Sequence, residues 1–260
     1  MAPSSFPRRA HDRARRTYGQ NLLSSASAVR QVADAAAVES DDLVYEVGAG
    51  RGRLTSALLT RAGRVVAYEV DPSMAAALPR HRRLTVRTGD FLRATPPGEP
   101  FVVVGNIPYA LTSAVVDWCL HAPTMTAATL LTQLEYARKR TGGYGRWSRL
   151  TVSTWPQVAW EPAGRVPRTA FRPVPRVDGG ILRLLRRDVP LVGADALAAY
   201  RRFVDLGFTG VGGSLHATLA RRYGPRRTSA AFRATRVGAD VPVGHVWPEQ
   251  WLTLFRLLER

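Results

Sequence analysis

The fold is decided by the stretch Leu43-Val44-Tyr45-Glu46-Val47-Gly48-Ala49-Gly50-Arg51-Gly52. Its first five residues are mostly apolar and predict a short buried strand, and the alternate glycines that follow predict a tight turn. A helix is expected next, from Leu54 to Arg61, and then a second strand from Arg64 to Glu69 and a helix that Pro72 begins. Strands that alternate with helices favour an α/β fold with a doubly wound, mostly parallel sheet.

This alternation continues through the first two thirds of the chain and then stops. Further strands are predicted at Leu84 to Thr88, Phe101 to Gly105, Ala127 to Gln133, Leu150 to Trp155 and Gly179 to Leu184. Beyond Arg187 only helical periodicity remains, at Ala194 to Leu206, Leu215 to Tyr223 and Trp247 to Leu258. We therefore expect a basic flexible arm (1–17), an α/β domain (18–187) and a small all-helical C-terminal domain (188–260).

The strongest bulk property of the chain is its formal net charge of +17. A field this positive concentrates polyanions near the surface, so we expect a nucleic-acid partner. Codon bias explains why all but one of the 37 basic residues are arginine, but it does not explain why only 20 residues are acidic. The arm and the arginine-rich tail after residue 187 are expected to contact phosphates.

Other classes of protein and site are disfavoured. No apolar run reaches the roughly 18 residues of a membrane span, and the N-terminus lacks the apolar segment of an export signal, so we expect a cytoplasmic protein without a membrane partner. The single cysteine, Cys119, excludes an internal disulfide and lies in an apolar stretch typical of a core position. The five histidines are scattered without the spacing of metal ligands, so no metal site is predicted.

Acidic residues after successive predicted strands indicate a cofactor that contains a nucleoside. Glu69 ends the second strand, 21 residues after Gly48, where a carboxylate can accept hydrogen bonds from both hydroxyls of a ribose. Asp90 follows the next strand and can accept from an adenine amine, while Phe91 or Leu92 packs against the ring.

The identity of that cofactor depends on the glycine turn. Dinucleotide sites usually read G-x-G-x-x-G, whereas Gly48, Gly50 and Gly52 are evenly spaced. Because S-adenosylmethionine carries a cationic sulfonium and no phosphate, Glu46 beside the turn suits it better than a pyrophosphate. We favour S-adenosylmethionine over a nicotinamide cofactor or a purely structural turn, and assign six residues to its site: Gly48, Gly50, Glu69, Val70, Asp90 and Phe91.

The segment Asn106-Ile107-Pro108-Tyr109 follows another predicted strand and suits chemistry on an adenine amine. That amine is a poor nucleophile because its lone pair is delocalised into the ring. Two acceptors, the side-chain oxygen of Asn106 and the main-chain carbonyl of Ile107, can draw the nitrogen toward tetrahedral geometry. Pro108 fixes the backbone, and Tyr109 offers a flat face to a base taken out of its stack. Catalysis would then rest on orientation and on polarisation of the amine.

These motifs resemble those of the ribosomal RNA adenine-N6 methyltransferases, both the housekeeping dimethyladenosine transferases and the erythromycin-resistance (Erm-type) enzymes. The resemblance covers about residues 17–187 and rests on these segments: Gly19 to Leu23, Glu46 to Gly52, Glu69 to Asp71, Gly89-Asp90, Gly105 to Tyr109 and Phe171 to Asp178. It implies a class I methyltransferase (Rossmann-like) fold and a site for S-adenosylmethionine that is lined also by Asn21, Leu23 and Asn106. With an RNA substrate, we expect the helical C-terminal domain predicted above to bind RNA. The resemblance further implies that Phe171 is a second aromatic wall of the target-base pocket, facing Tyr109.

Within this family, several features resemble the resistance branch. They are Ile107, where the housekeeping branch usually has leucine, the stretch Tyr144-Gly145-Arg146-Trp147-Ser148, and the arginine-rich tail. That branch implies an adenosine of 23S rRNA as substrate, macrolide resistance as the outcome, and a monomer. The main alternative is a housekeeping 16S rRNA dimethyladenosine transferase. A DNA adenine methyltransferase is disfavoured by Ile107 and the Phe171 segment, and a non-catalytic RNA-binding protein by the intact set of Glu69, Asp90 and Asn106.

Overall fold

The computed structural model describes residues 21–210 and 214–259. The basic arm predicted at 1–17, and Gly19 and Gln20 of the first family segment, lie outside these described residues. The described residues form two compact units. Unit 1 comprises residues 21–135 and 162–184, and unit 2 comprises residues 136–161, 185–210 and 214–259.

Strands and helices alternate along the first part of the chain, as predicted. In chain order the elements of this part are β1 (Leu22–Leu23), α1 (Ala26–Ala35), β2 (Leu43–Val47), α2 (Arg53–Leu59), β3 (Arg64–Glu69), α3 (Pro72–Ala76), β4 (Leu84–Thr88), β5 (Phe101–Asn106), α4 (Thr112–His121), β6 (Met125–Gln133) and α5 (Leu134–Arg140). The second part contains α6 (Arg149–Thr154), β7 (Val158–Val166), β8 (Phe171–Arg172), β9 (Gly179–Arg186), α7 (Leu197–Gly207), α8 (Leu215–Tyr223), α9 (Pro225–Thr235) and α10 (Pro248–Leu258).

Seven strands form one sheet in the order β4-β3-β2-β5-β6-β9-β7, and β1 pairs with β8 in a separate two-stranded sheet. The first five strands in this order, β4, β3, β2, β5 and β6, are parallel to one another. The chain adds β3 and β4 on one side of β2 and then returns to place β5 on the other side. In such sheets, the reversal opens a crevice at the carboxyl ends of the two strands that flank it, here β2 and β5.

The central strands are apolar because both of their faces are covered. Val44, Val65 and Val104 are fully or almost fully buried, which is typical of parallel strands with helices on both faces of the sheet. Helix α1 contributes its apolar stripe, including Val32, to the same core. Its N-terminus is fixed by Ser25, whose hydroxyl accepts a hydrogen bond from the backbone N–H of Ala28 at 3.4 Å.

Unit 2 has its own core, built mainly from the helices α7 to α10. Tyr200, Phe203 and Trp251 are fully or almost fully buried there, and Phe208 stacks on Trp251 with ring centroids 5.3 Å apart and planes 10° from parallel. These large rings give a small helical unit enough apolar surface to stabilise its packing. Among the described residues, no helix is both long and apolar enough to cross a membrane.

The structure differs from the sequence prediction in several places, which include the short strands β1 and β8 that were not predicted. The prediction of a strand at Leu150 to Trp155 is wrong, because these residues lie largely in helix α6. Ser148 caps the N-terminus of that helix. Strand β7 and helix α9 were not predicted. Residues 136–161 belong to unit 2, although the expected α/β domain of 18–187 included them, because Val152 packs in the aromatic core of that unit.

Candidate active site

The carboxyl ends of four parallel strands bring the predicted polar residues together. Gly48 directly follows β2, Glu69 ends β3, Asp90 comes two residues after β4, and Asn106 ends β5. Because neighbouring parallel strands end at the same edge of a sheet, these residues line one crevice. Residues that are distant in the sequence therefore form one site.

The glycine turn is held in place by Glu69. Gly48, Gly50 and Gly52 have φ values of 70°, 55° and 74°, a left-handed conformation that side chains disfavour. One carboxylate oxygen of Glu69 accepts a hydrogen bond from the N–H of Gly50 at 2.7 Å, and the other accepts from the N–H of Asp71 at 2.9 Å. Glu69 is only 1% exposed, yet it also lines a cavity, so it can fix the turn and face a ligand.

Two cavities meet at Gly48, which lines both. The Asp90 cavity has a volume of about 410 Å³, and its lining includes Glu69, Val70, Asp90, Phe91, Pro108 and Leu111. The glycine-turn cavity has a volume of about 620 Å³, and its lining includes Leu22, Leu23, Gly48, Gly50, Asn106 and Arg172. Both volumes lie in the range of small-molecule sites. The arrangement suits an elongated ligand with a nucleoside at one end and an amino acid at the other.

The Asp90 cavity has one acidic and several apolar walls. Asp90 is exposed, and its Oδ1 accepts a hydrogen bond from the N–H of Leu92 at 3.0 Å, which fixes the carboxylate at the rim. Phe91 is buried and packs against Tyr68 and Trp118, with ring centroids 5.4 Å and 4.4 Å away. An acceptor beside apolar walls is the environment that an adenine ring requires.

The orientation of the Asn106 side chain is set by a segment far away in the sequence. Its Nδ2 donates a hydrogen bond to the main-chain oxygen of Asn21 at 2.7 Å, so its Oδ1 is the atom left to act as an acceptor. The N–H of Ile107 donates to the oxygen of Leu131 at 3.0 Å and anchors the backbone just before Pro108. Asn21 was assigned to the cofactor site, and the structure places its backbone in contact with Asn106.

The two predicted aromatic walls differ in their exposure. Tyr109 is half-buried, and its hydroxyl is buried without a hydrogen-bond partner among the described residues. Burial, and secondarily the negative charge of Asp178, raises the pKa of this hydroxyl. Phe171 is 0% exposed and packs in the core of unit 1, because β8 pairs with β1 and sets Phe171 opposite Leu23. The ring of Phe171 therefore has no solvent-exposed face in this structure, and its role as a second wall of the base pocket stays a prediction.

Glu46 lies on β2, two residues before Gly48, and lines neither of the two cavities. The residue is 1% exposed, and among the described residues neither of its side-chain oxygens has a hydrogen-bond partner of normal geometry. Burial raises the pKa of Glu46 to about 7, and the charge of Glu69 adds to this effect. The nearby hydroxyl of Thr55 opposes the shift but makes no hydrogen bond of normal geometry. A buried carboxylate two residues from the glycine that lines both cavities would favour a cationic ligand group.

Three arginines that the sequence did not assign to the site line the glycine-turn cavity: Arg51, Arg53 and Arg172. Arg53 donates to the main-chain oxygen of Ser24 at 2.6 Å, and Arg172 donates to that of Phe171 at 2.8 Å. Two of them stand inside motifs that were recognised, Arg51 in the glycine turn and Arg172 in the Phe171 segment. Their position in those motifs could have indicated a role in the site. However, arginine is so frequent in this chain that its presence in a motif carries little information.

The fold and this site define a class I methyltransferase. The chain belongs to the ribosomal RNA adenine dimethylase family, which matches residues 11–260. An rRNA adenine N-6-methyltransferase of Streptomyces fradiae is 53% identical over 252 residues, which make up 95% of this chain and 79% of that protein. The mycinamicin-resistance protein MyrB of Micromonospora griseorubida is 35% identical over 250 residues, 94% of this chain and 78% of that protein.

The same relationship is found among solved structures. The crystal structure of the 23S rRNA methyltransferase ErmE has a TM-score of 0.90 and 50% sequence identity, and the match covers 92% of this chain and 100% of the other. Family membership confirms the predicted class of enzyme, an rRNA adenine methyltransferase, and methyltransferases of this kind use S-adenosylmethionine.

Proposed function

We propose that this protein transfers a methyl group from S-adenosylmethionine to the N6 amine of an adenosine in 23S rRNA and thereby confers resistance to macrolide-type antibiotics. The observation that carries the proposal is Asn106, whose amide is oriented by the Asn21 carbonyl so that Oδ1 is available as an acceptor. The relatives support the substrate, since one is a 23S rRNA methyltransferase and another is a mycinamicin-resistance protein.

The residues present fit the proposed cofactor. The carboxylate of Glu69 and the glycine turn would hold the ribose, and Asp90 would accept from the adenine amine beside Val70 and Phe91. Gly48, Gly50 and Leu23 would line its amino-acid part. The carboxylate of Glu46, buried on β2 two residues before Gly48, would favour a positive charge nearby. When bound, S-adenosylmethionine supplies an electrophilic methyl group.

The protein's own part in the reaction is to polarise and orient the target amine. Asn106 Oδ1 and the main-chain oxygen of Ile107 accept the two hydrogens of the amine, which localises the nitrogen lone pair. Pro108 limits the movement of that carbonyl, and the ring of Tyr109 stacks on the extruded base. Asn106 is not a base, so the amine keeps both hydrogens until the new N–C bond has formed, and the positively charged nitrogen then loses one proton to water. Orientation contributes most of the rate.

The parts of the chain are proposed to divide this work. The α/β part, which lies within residues 18–187 but excludes residues 136–161, binds the cofactor and performs the reaction, whereas unit 2, which carries many arginines, contributes to RNA binding. The protein is proposed to act as a monomer in the cytoplasm.

The decisive assay is methyl transfer from radiolabelled S-adenosylmethionine to protein-free 23S rRNA, with 16S rRNA particles in parallel and Asn106→Ala as the inactive control. We expect label on N6 of a 23S adenosine, and macrolide resistance in a host that expresses the wild type but not the variant. Label confined to 16S rRNA would replace the proposed substrate with that of the housekeeping branch. No label on either RNA, in a protein that still binds the cofactor, would contradict the proposed reaction.

A further inference from the structure

A cavity in unit 2 has no role in the function proposed above. Its volume is about 490 Å³, and it is lined by Lys139, Tyr144, Arg146, Trp147, Ser148 and Gly244. We call these six residues, together with the neighbouring Trp247, the unit 2 aromatic surface. The volume lies within the range of pockets that hold small organic groups.

Exposed aromatic rings are the main feature of this surface. Tyr144 is 51% exposed and Trp247 is 59% exposed, and they are the two aromatic residues among the exposed large apolar residues of the described chain. Trp247 lies beside Trp147, with ring centroids 5.4 Å apart, and Trp147 in turn contacts Trp155 at 5.6 Å. The indoles of Trp155, Trp147 and Trp247 therefore form a row, and the last of them is largely exposed to solvent. Large exposed rings that cluster in this way mark binding sites.

The loop that presents Tyr144 is built closely onto Trp147. A Cβ atom on Gly142 would lie 2.6 Å from the ring of Trp147, so only glycine fits there, and its φ of 71° is left-handed. The N–H of Gly145 donates to the oxygen of Gly142 at 2.9 Å, which closes a turn around Tyr144. The N–H of Trp147 donates to the oxygen of Gly244 at 2.6 Å and joins the loop to the segment before Trp247. The rings are thus held in place before any ligand binds.

Cations surround these rings. Lys139 and Arg146 line the cavity and are exposed, and Arg146 Nε lies 3.2 Å from Nε2 of His245. The acids closest in sequence to these residues are Glu135, four residues before Lys139, Asp240, four residues before Gly244, and Glu249, two residues after Trp247. Flat rings interleaved with cations are the combination by which proteins bind single-stranded nucleic acid: bases stack on the rings, and phosphates lie against the cations.

We propose that the unit 2 aromatic surface binds an unpaired nucleotide of the RNA, distinct from the adenosine that is methylated. The base stacks on Tyr144 or Trp247, and the adjoining phosphates contact Lys139 and Arg146. This inference rests on the proposed function for the identity of the RNA, since it assigns to unit 2 a specific contact with the rRNA substrate. Stacking is tolerant of sequence, so the site contributes affinity and register rather than selection of a base.

The test uses the full-length protein and a fluorescently labelled single-stranded oligoadenylate RNA, whose binding is followed by anisotropy. Tyr144→Ala and Trp247→Ala should each weaken binding by about five- to a hundred-fold, which is the range for loss of a base–aromatic stack. Tyr144→Phe and Trp247→Phe keep a ring and should retain most of the affinity. Val189→Ala, which truncates another exposed apolar side chain of unit 2, should bind as the wild type does.

The salt dependence of RNA binding separates the contribution of base stacking from that of charge. Lys139→Ala and Arg146→Ala should each reduce the slope of log affinity against log salt by about one, whereas the two aromatic variants should leave the slope unchanged. Melting temperatures establish that each variant is folded, and cofactor binding is measured on the same samples. In the methylation assay, Tyr144→Ala and Trp247→Ala should raise the rRNA concentration that gives the half-maximal rate.

Crosslinking with RNA that contains 4-thiouridine then locates the contact. Crosslinked peptides that contain Tyr144 or Trp247 would support the proposal. Wild-type affinity in both alanine variants, with crosslinks only outside unit 2, would overturn it. If neither rRNA is methylated but the alanine variants still lose oligoadenylate binding, then the nucleotide site stands and the proposed function alone fails.

Discussion

Glu69 performs two tasks, and replacing it should affect both. Its carboxylate accepts from the N–H groups of Gly50 and Asp71 and faces the Asp90 cavity. Glu69→Ala should weaken S-adenosylmethionine binding by about ten- to a hundred-fold, or on the order of 1.5–3 kcal/mol, and should also lower the melting temperature because the glycine turn loses its support. Calorimetric titration measures the first effect and circular dichroism the second. The control is Glu99→Ala, which removes an exposed carboxylate that pairs with Arg64. Unchanged cofactor affinity in Glu69→Ala would exclude Glu69 from the binding site.

Tyr109 separates the contribution of a ring from that of a hydroxyl. The hydroxyl is buried and has no hydrogen-bond partner among the described residues, so Tyr109→Phe should retain most of the methylation rate and should not destabilise the fold. Tyr109→Ala removes the stacking face and should cost about 1–3 kcal/mol in binding of the target base, and activity should be lost accordingly. Single-turnover rates on rRNA measure this difference. Equal activity of the Phe and Ala variants would show that Tyr109 does not stack on the base.

The carboxyl of Glu46 makes stability depend on pH in a definite direction. Its folded-state pKa is about 7, above the ordinary value of 4.5, so the folded state holds the proton more tightly than the unfolded state. Stability should therefore fall as the pH rises from about 4.5 to 7, and the full penalty, on the order of 3 kcal/mol, should be present above pH 7. Glu46→Gln stays neutral at every pH and should gain in stability relative to the wild type over this window. Urea unfolding of both proteins at a series of pH values measures the difference, and a difference independent of pH would mean that burial does not shift this carboxyl.

Strands β2 and β5 approach so closely at the site that Gly105 has no room for a side chain. A Cβ atom on Gly105 would lie 2.7 Å from the main-chain oxygen of Val47, and Gly105 directly precedes Asn106. Gly105→Ala should destabilise the protein by about 1–3 kcal/mol and should reduce methylation, because the strands must separate and Asn106 moves with β5. The matched change Gly98→Ala places its Cβ in open space and should alter stability by less than about 0.5 kcal/mol. Denaturant unfolding compares the two, and equal stabilities would mean that β5 can shift at no cost.

The sequence predicted the strands that carry the site because their apolar runs are followed by glycine or by a polar residue. It failed where tertiary contacts oppose local preference. Leu150 to Trp155 is rich in β-branched and aromatic residues, which favour a strand, but Ser148 caps a helix there and the hydroxyl of Tyr200 donates to the oxygen of Val152 at 3.0 Å. Strand β7 was missed because Pro162 and Gly164 interrupt its pattern. Such residues are tolerated there because β7 is an edge strand.

The prediction of the site residues from the sequence has the same limits. Asn106, Glu69 and Asp90 could be predicted because each stands at the end of a strand in a recognisable segment. The burial of Phe171 could not, because it depends on the pairing of β8 with β1, two strands far apart in the sequence. A motif identifies which residue is present, but only the packing around it decides which face of its ring is accessible.

For the molecule as a whole, the net charge of +17 should dominate the affinity for RNA. Binding should weaken steeply as salt rises, since each phosphate contact contributes about −0.7 to −0.9 to the slope of log affinity against log salt. Deletion of residues 1–16, which contain five arginines and lie outside the described residues, should flatten this slope without changing cofactor affinity. Filter binding over a series of potassium chloride concentrations measures the slope. An unchanged slope would mean that the arm makes no phosphate contacts.

The pairing of β1 with β8 has a consequence for when the enzyme becomes active during its own synthesis. Ser24 donates to the oxygen of Ala170, a residue 146 positions later, and Leu22 and Arg172, which are register partners, both line the glycine-turn cavity. A ribosome makes Leu22 long before Arg172, so a nascent chain that already contains the glycine turn and Asn106 still has an incomplete site. Methylating activity should therefore be absent from every partial chain that stops short of residue 172, and a premature stop there should leave an inert product rather than a weak enzyme.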